Sequence, residues 1–428
     1  MKLSKKIFTP LLVSTFSLVS TTVLVCSCSS NSNTYTFVLS TPSNEGDYNV
    51  FANNVAKKFN ELKAKDETTS SLADITINVK NIDDKQTKLN SVLNGSADFT
   101  FVTARYLYNN DVYLQVKPLI QTLTTPFTFD TDISQVYKDG SETDPLRVIA
   151  NNMQKASFGS DFVQTTSDTS TSSSNSGSSS STSASKWSWD SNSYHYFSQW
   201  KDAKGAAPNY DWNGVRYNAF YDTSAPLVAG YRGMIVLSGS DDKIQSAIEA
   251  WDKRDWNSFR NLGIVLGENG STGNYLLEQS LIKQHFTSLG QDFTLANDRS
   301  QNPGKYDTDS SGTYKIGKDS NFVITFSDEG SFSWTHNDNS NQDFSPINNN
   351  KIKILTVTNP ANYDIGIFSK SVDTKIADLL TQAIVALAQD DPEGVGVNSY
   401  GAGMGYNGFS KISDFKKEVY DPMQLALG

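Results

Sequence analysis

From Thr34 onward the chain switches rapidly between strand-like and helix-like patterning. "TYTFVLSTP" is rich in the β-branched and aromatic residues that favour strands. "NVFANNVAKKFNELKAK" then sets Val50, Phe51, Val55, Phe59 and Leu62 near the i, i+4, i+8 positions of an amphipathic helix. A strand in "DITINVKNI", a helix in "DKQTKLNSVLNG" and a strand in "ADFTFVTA" complete the series within about 70 residues. Strand, helix, strand, helix, strand at that density implies a parallel sheet with helices on its faces.

A second α/β series starts at "YRGMIVLSG", a strand of continuous apolar character after Gly233. It runs through a helix in "DDKIQSAIEAW", "DWNSFRNLGIVLG", and a buried strand in "NFVITFSDEGSFSWTHN" that ends in a polar turn. "KIKILTVTNPANYDIGIFSKSV" adds two short strands around a proline turn, and "TKIADLLTQAIVALAQ" is a strongly periodic helix. No internal repeat is evident. At 428 residues the chain can build two α/β lobes with sizeable cores, and such folds hold ligands in the crevice beyond the carboxyl ends of their strands. From Thr165 to Ser185 the sequence is almost wholly Ser and Thr, too poor in apolar residues to offset its ordering entropy. It reads as a disordered surface loop, with a decorated stalk as the other reading.

The first residues set an address. Lys2, Lys5 and Lys6 precede the apolar "IFTPLLVSTFSLVSTTVLV", which ends in "VLVCSCSS", the layout of a secretory signal. An uncleaved anchor helix is the alternative. Both cysteines of the chain, Cys26 and Cys28, lie here, so no disulfide framework holds the body. A small residue before a cysteine resembles a bacterial lipobox, and Ser27 before Cys28 fits better than Val25 before Cys26. Cys28 is the expected lipidation site, with 1–27 as signal peptide, 28–33 as tether, and the mature chain on the outer face of the cell membrane. Losing the three lysines takes the formal charge from −10 to −13, which argues against nucleic acid as a partner.

The turn "GENGSTGNYLLEQ" joins a strand to a helix, where free N–H groups and the helix dipole favour an anion. It lacks the lysine of a nucleotide-hydrolysing loop, since Asn274 follows Gly273. Ser271, Thr272, Gly273 and Asn274 therefore either cradle a phosphate without transferring it or form an ordinary capped turn. "GMGYNG", Gly403 to Gly408, satisfies G-x-G-x-x-G but follows a loop, and we discount it for cofactor binding, although Tyr406 stands near a possible cleft. The three histidines, His195, His285 and His336, share no metalloprotease spacing, and no serine-hydrolase elbow occurs. His285 is expected at a surface or interface, and His336, just past a strand end, at a ligand. No enzyme, no resident cofactor and no particular metal are implied. "YDWNGVRYNAFYD" gathers Trp212, Tyr217 and Tyr221, some for the core and some for a cleft edge. Arg232 is the candidate cation for an anionic ligand, with a surface ion pair as its alternative.

Several strings, "WNGVRYNAFYD", "YRGMIVL", "DWNSFRNLGI", "DRSQNPGKY", "FSDEGSFSWTHN", "VTNPANYDIGIF" and "GYNGF", resemble in order and spacing the extracytoplasmic thiamine-binding lipoproteins of mycoplasmas. Those are substrate-binding components of ABC importers and relatives of phosphonate-binding proteins. The resemblance covers most of Thr34 to Tyr420, and the Ser/Thr tract looks like an insertion in it. It implies a two-lobed periplasmic-binding-protein fold of type II that closes over thiamine or thiamine diphosphate as cargo. Lobe one would comprise 34–125 and 355–428, the crossover and insertion 126–204, and lobe two 205–350. Crossings would fall near "TTPFTFD" and "TVTNPANYD". A diphosphate would suit Ser271 to Asn274 and Arg232, and a thiazolium the aromatic faces. Trp212, Tyr217, Tyr221, Ser331, Trp334, His336 and Tyr363 complete the implied cleft. A permease and its ATPase are the implied partners of a monomer. A phosphonate or another phosphorylated small molecule is the alternative ligand. Two other classes are a surface adhesin and a thiamine-diphosphate enzyme; the latter would resemble its class in a G-D-G stretch that this chain lacks.

Overall fold

The computed structural model describes residues 34–40, 48–166, 185–189, 220–308, 315–319, 321–334, 344, 346–390 and 406–428. Its strands are β1 Thr34–Leu39, β2 Thr76–Asn81, β3 Phe99–Val102, β4 Val116–Leu123, β5 Phe162–Thr166, β6 Ser185–Trp189, β7 Gly230–Tyr231, β8 Gly233–Gly239, β9 Ile264–Leu266, β10 Tyr306–Thr308, β11 Ile324–Asp328, β12 Lys351–Val357, β13 Ala361–Asn362, β14 Ile365–Ser369 and β15 Gly408–Lys411.

Two sheets carry the molecule. One has the order β15-β4-β14-β3-β1-β2, the other β10-β9-β11-β8-β12. In the first, β1, β2 and β3 run parallel while β14 opposes both β3 and β4. Successive residues of β1 show how it is covered: Phe37 and Leu39 enter one core and Val38 the other. That period-two split is what a sheet with both faces buried requires. Helices Tyr48–Lys65 and Thr374–Asp390 cover one face, the former through Phe51, Val55 and Phe59, all fully buried. Helices Lys85–Leu93 and Asp421–Leu427 cover the other through Leu89, Val92, Met423 and Ala426. Asp84 caps the Lys85 helix by accepting from the Thr87 N–H at 2.7 Å.

In the second sheet β8 is central and wholly buried, antiparallel to both β11 and β12. Its core also takes in Leu146, Ile149, Met153 and Phe158 of the helix Pro145–Phe158. The stretch 126–204, expected to be crossover and insertion, thus supplies lobe two with a core helix. Its limits are written in residues, because Asp144 caps Leu146, Pro145 opens the first turn and Gly159 ends the helix at φ +73°. Likewise β12 belongs to the second sheet as far as Val357, two residues beyond the expected start of the returning lobe-one segment.

The Ser/Thr tract lies outside the described residues except at its ends. There Thr166 pairs with Ser185 and Thr165 with Lys186 in an antiparallel ladder. The tract leaves and re-enters at adjacent points, so replacing residues 167–184 with a short glycine turn is expected to leave the melting temperature within about 2 °C. Thermal unfolding checks this, and a fall of 10 °C or more would show that the tract belongs to the core.

His285 differs from expectation. It is buried, its ring stacked on Trp251 at 3.8 Å, with Nε2 at 2.8 Å from the Trp251 carbonyl and Nδ1 at 3.0 Å from the Tyr137 hydroxyl. Burial pushes its pKa down from 6.5 to about 4. The unfolded chain therefore binds a proton here below pH 6.5 that the folded chain refuses, so stability is lost as pH falls from 6.5 to 4. The loss through this one group is about 3 kcal/mol. Urea unfolding at pH 7 and pH 4.5 should show it, and His285→Phe should make the acid-side decline shallower.

Candidate functional site

Two crossings join the lobes, and residues 221–228 run beside the first of them. The chain leaves the first sheet after β4, where Thr124 bridges Val228 in antiparallel fashion and Phe127 bridges Tyr221. It returns through β13, which pairs with β7. The crossings follow β4 and β12 and precede β8 and β14. The carboxyl ends of β1, β3, β4, β9, β11 and β12 therefore face one cleft, as do the starts of β8 and β14.

The turn Gly267–Asn274 sits at the end of β9. It leads into a π-helical turn, Thr272–Leu276, and then the helix Leu277–His285. Ser271 occupies the cap position, yet its side chain makes no capping hydrogen bond. The turn is set by its backbone: Ser271 N–H donates to the Glu268 carbonyl at 2.9 Å, and Gly270 adopts φ +91°. The first amides of a helix have no partner within it, so Thr272, Gly273 and Asn274 offer a positive end. Beneath it lies Glu278, fully buried, whose carboxyl burial pushes well above the usual range. Gly233, at the start of β8, has no room for a side chain, since a Cβ there would stand 2.1 Å from Glu278 Oε1.

Against this turn stands Tyr231, which pattern reading overlooked. Its ring lies 3.3 Å from where a Cβ on Gly273 would stand, and it stacks on Tyr363 at 5.2 Å and 29°. Burial pushes both phenols up. Asp328 at the end of β11 closes this corner, a Gly273 Cβ falling 3.2 Å from its own Cβ. Burial also raises the Asp328 carboxyl.

Of the expected site residues, Thr272, Gly273 and Tyr363 gather directly around Tyr231. Tyr221 is adjacent, its hydroxyl 3.2 Å from Ser333 Oγ. Ser331 opens a short helix after β11 and donates to the Asp328 carbonyl at 2.8 Å. Trp212, Tyr217 and His336 lie outside the described residues, as does the Trp334 side chain. Arg232 requires correction, because its guanidinium is buried and committed to the hinge. Fully buried, it donates from Nε to Asp130 Oδ2 at 2.6 Å and from Nη1 to the carbonyls of Gln135 at 2.9 Å and Thr358 at 3.0 Å. Its Nη2 faces the Asp132 carbonyl. Arg232 therefore ties the first crossing to the second instead of reaching into the cleft.

Lobe one supplies further polar groups, of which the sequence singled out only Tyr406. Tyr406 donates to Asp364 Oδ2 at 2.9 Å, beside the start of β14. Lys88 donates to Ser40 Oγ at 2.7 Å beyond the end of β1. Thr103 and Arg105 follow β3, and both Thr103 Oγ1 and Arg105 Nε are buried with no hydrogen-bond partner among the described residues. A Cβ on Gly270 would lie 3.6 Å from Arg105 Nη1, so this guanidinium meets the turn from across the cleft. Among the described residues no group of three or more His, Cys, Asp or Glu is placed to hold a metal ion. No described helix is long and apolar enough to cross a membrane.

Comparison with known proteins agrees with this geometry. Residues 49–428 match the family model described as extracytoplasmic thiamine-binding lipoprotein, CypI. The chain is 32% identical over 387 residues to the high affinity transport system protein p37 of Mesomycoplasma hyorhinis, covering 89% of this chain and 83% of that protein. It is 30% identical over 396 residues to the protein of the same name from Mycoplasma pneumoniae, covering 89% and 86%. The solved structure of Mycoplasma hyorhinis Mh-p37, described as a candidate thiamine pyrophosphate transporter, superposes with a TM-score of 0.73 at 30% identity over 92% of this chain and 99% of that one. With the two-lobed α/β architecture and inter-lobe cleft already in place, this chain belongs to the extracytoplasmic thiamine-binding lipoprotein family of transport-system binding proteins.

Proposed function

We propose that the chain binds thiamine, free or phosphorylated, in the cleft between its lobes and delivers it unchanged to an ABC permease in the membrane. The family match over residues 49–428 carries the reading. The stacked pair Tyr231 and Tyr363 supports it, because a thiazolium cation gains about 0.5–2 kcal/mol on the face of an aromatic ring. Tyr221, Ser331, Trp212, Tyr217, Trp334 and His336 are proposed as further contacts, and Ser271 to Asn274 as the anion-facing wall. Thiamine is cargo here, not a cofactor. The protein is proposed to act as a monomer held at the outer face of the membrane by lipid on Cys28.

Equilibrium dialysis of radiolabelled thiamine against the wild type and Tyr363→Ala tests the placement. Saturable binding is expected, weakened about tenfold in the variant. Equal affinity in both would remove the tyrosine pair from the site. Mass spectrometry of the membrane-extracted protein should find a diacylglycerol-modified Cys28, and an unmodified N-terminus elsewhere would refute the anchor.

A further inference from the structure

The edge of lobe one away from the cleft carries an apolar surface that the fold leaves uncovered. Strands β1, β3 and β4 run in one direction, because β3 is parallel to β1 and β14 opposes both β3 and β4. Their starts are level. Val116 pairs with Ser369, the Ser369 N–H donates to the Asp98 carbonyl at 2.9 Å, and the Asp98 N–H donates to the Thr36 carbonyl at 2.8 Å. The 3-10 turn Asn109–Gln115 leads into β4 at this edge, and its Tyr113 stacks on Phe415 at 4.8 Å and 21°. The Tyr420 ring, at the end of the turn Lys416–Tyr420, lies 5.5 Å from Tyr113 and 5.0 Å from Tyr108. Tyr108, Tyr113 and Phe415 rest on the core and stay half-buried. Beside them Leu114 is 61% exposed, more than any other large hydrophobic side chain among the described residues. Lys416 lies over the Tyr420 ring at 5.6 Å. Rings with a polar tip, an exposed leucine and a lysine lying along an aromatic face are the side chains that suit the boundary between lipid and water.

The place where the described chain starts says what covers this face. Thr34, the first residue of β1, stands at the same edge, three strand spacings or about 15 Å across the sheet from β4. Residues 28–33 separate it from Cys28, a reach of about 20 Å at full extension. A lipid on Cys28 keeps this edge within that distance of a bilayer, where even a weak contact is populated because both partners are tethered together. Charge narrows the kind of lipid. Asp111, Asp414 and Asp421 are exposed around the rings, and Lys416 is paired with Asp421 at 2.5 Å, so no basic excess draws an anionic surface.

We propose that this edge of lobe one is a membrane-resting surface, with Tyr113, Leu114, Phe415 and Tyr420 seated in the headgroup region of a zwitterionic bilayer. The proposal rests on the lipid anchor and adds an orientation to it. Lobe one lies edge-down, its cleft side faces away from the lipid, and lobe two stands clear to open and close.

Hydrogen–deuterium exchange of the mature chain 28–428 tests this. Cys28 is the only cysteine in those residues, so it can be coupled to a maleimide lipid in phosphatidylcholine vesicles. Coupling is expected to slow amide exchange in 109–115 and 413–420 at least about threefold and to leave 289–294 of lobe two unchanged. Leu114→Glu should abolish the slowing while keeping the melting temperature within about 2 °C, since the side chain is already exposed. No slowing, equal slowing in lobe two, or slowing that survives Leu114→Glu would overturn the surface. So would stronger slowing on phosphatidylglycerol vesicles, or slowing that appears only when the chain is crowded on the vesicle, which would make the cover a second copy. The coupling is chemical, so the anchor is judged separately by mass spectrometry of the cellular protein. Slowing with an unlipidated cellular chain refutes the anchor alone, and no slowing with a lipidated one refutes the resting surface alone.

Discussion

Arg232→Ala is expected to destabilise the protein by about 3–5 kcal/mol, the usual cost of removing one partner from a buried charge pair. The side chains of Arg232 and Asp130 are 0% and 2% exposed, so water cannot replace the lost guanidinium. Glu329 accepts from the Arg232 N–H at 3.0 Å, and its carboxyl is pushed well above the usual range, first by burial and then by Asp130. Without the guanidinium, Asp130 faces that acid alone in the hinge. Arg232→Lys keeps the charge but not the fork that reaches Asp130, Gln135 and Thr358 together, and should recover only part of the loss. Urea unfolding of the three proteins measures this. A loss below 1 kcal/mol for Arg232→Ala would show that the buried pair does not hold the two crossings together.

Lys353→Met should cost a similar 3–5 kcal/mol for the same physical reason in a different place. Lys353, on β12, is paired with Asp161 just before β5, each side chain 2% exposed, and also donates to Asn151 Oδ1 at 2.6 Å. Burial pulls the lysine pKa down and Asp161 pulls it back up. The pair fixes the helix Pro145–Phe158 and the strand after it to the second sheet. Asp161→Asn retains the acceptor for the Phe162 N–H, which sits at 2.8 Å, while removing the charge. The double variant Lys353→Met with Asp161→Asn is therefore expected to regain most of the stability, and a double-mutant cycle of unfolding free energies checks it. Additive losses would show that the two groups do not act as a pair.

What was legible in the sequence was what local spacing determines. Phe51, Val55 and Phe59 declare their helix because one face recurs every turn, and the continuous apolar run of β8 declares a strand covered on both sides. The turn at Gly267–Asn274 was recognisable because glycine and asparagine follow a short apolar run. The helix Pro145–Phe158 was missed although its cap, proline and terminal glycine are all present, because the neighbouring Ser/Thr tract led the whole segment to be read as an insertion. Arg232 was misassigned for a different reason. Asp130, Asp132, Gln135, Thr358 and Glu329 come from three distant segments, and no window around Arg232 contains them. Arg105 in "VTARYLY" looks like any residue at a strand-to-helix joint, and only the approach of the second lobe gives it a counterpart at Gly270. His285 reads as a polar residue on a helix, yet Trp251 and Tyr137 enclose it from elsewhere in the chain.

The cleft is expected to carry a thiamine compound without transforming it. Radiolabelled thiamine and thiamine diphosphate should each be incubated with the purified mature chain, recovered by denaturation and identified by chromatography. Saturable binding at one ligand per chain, with the label returned in its original chemical form, is the expected result. No saturable binding of either compound, or release of a cleaved or transferred product, would contradict it.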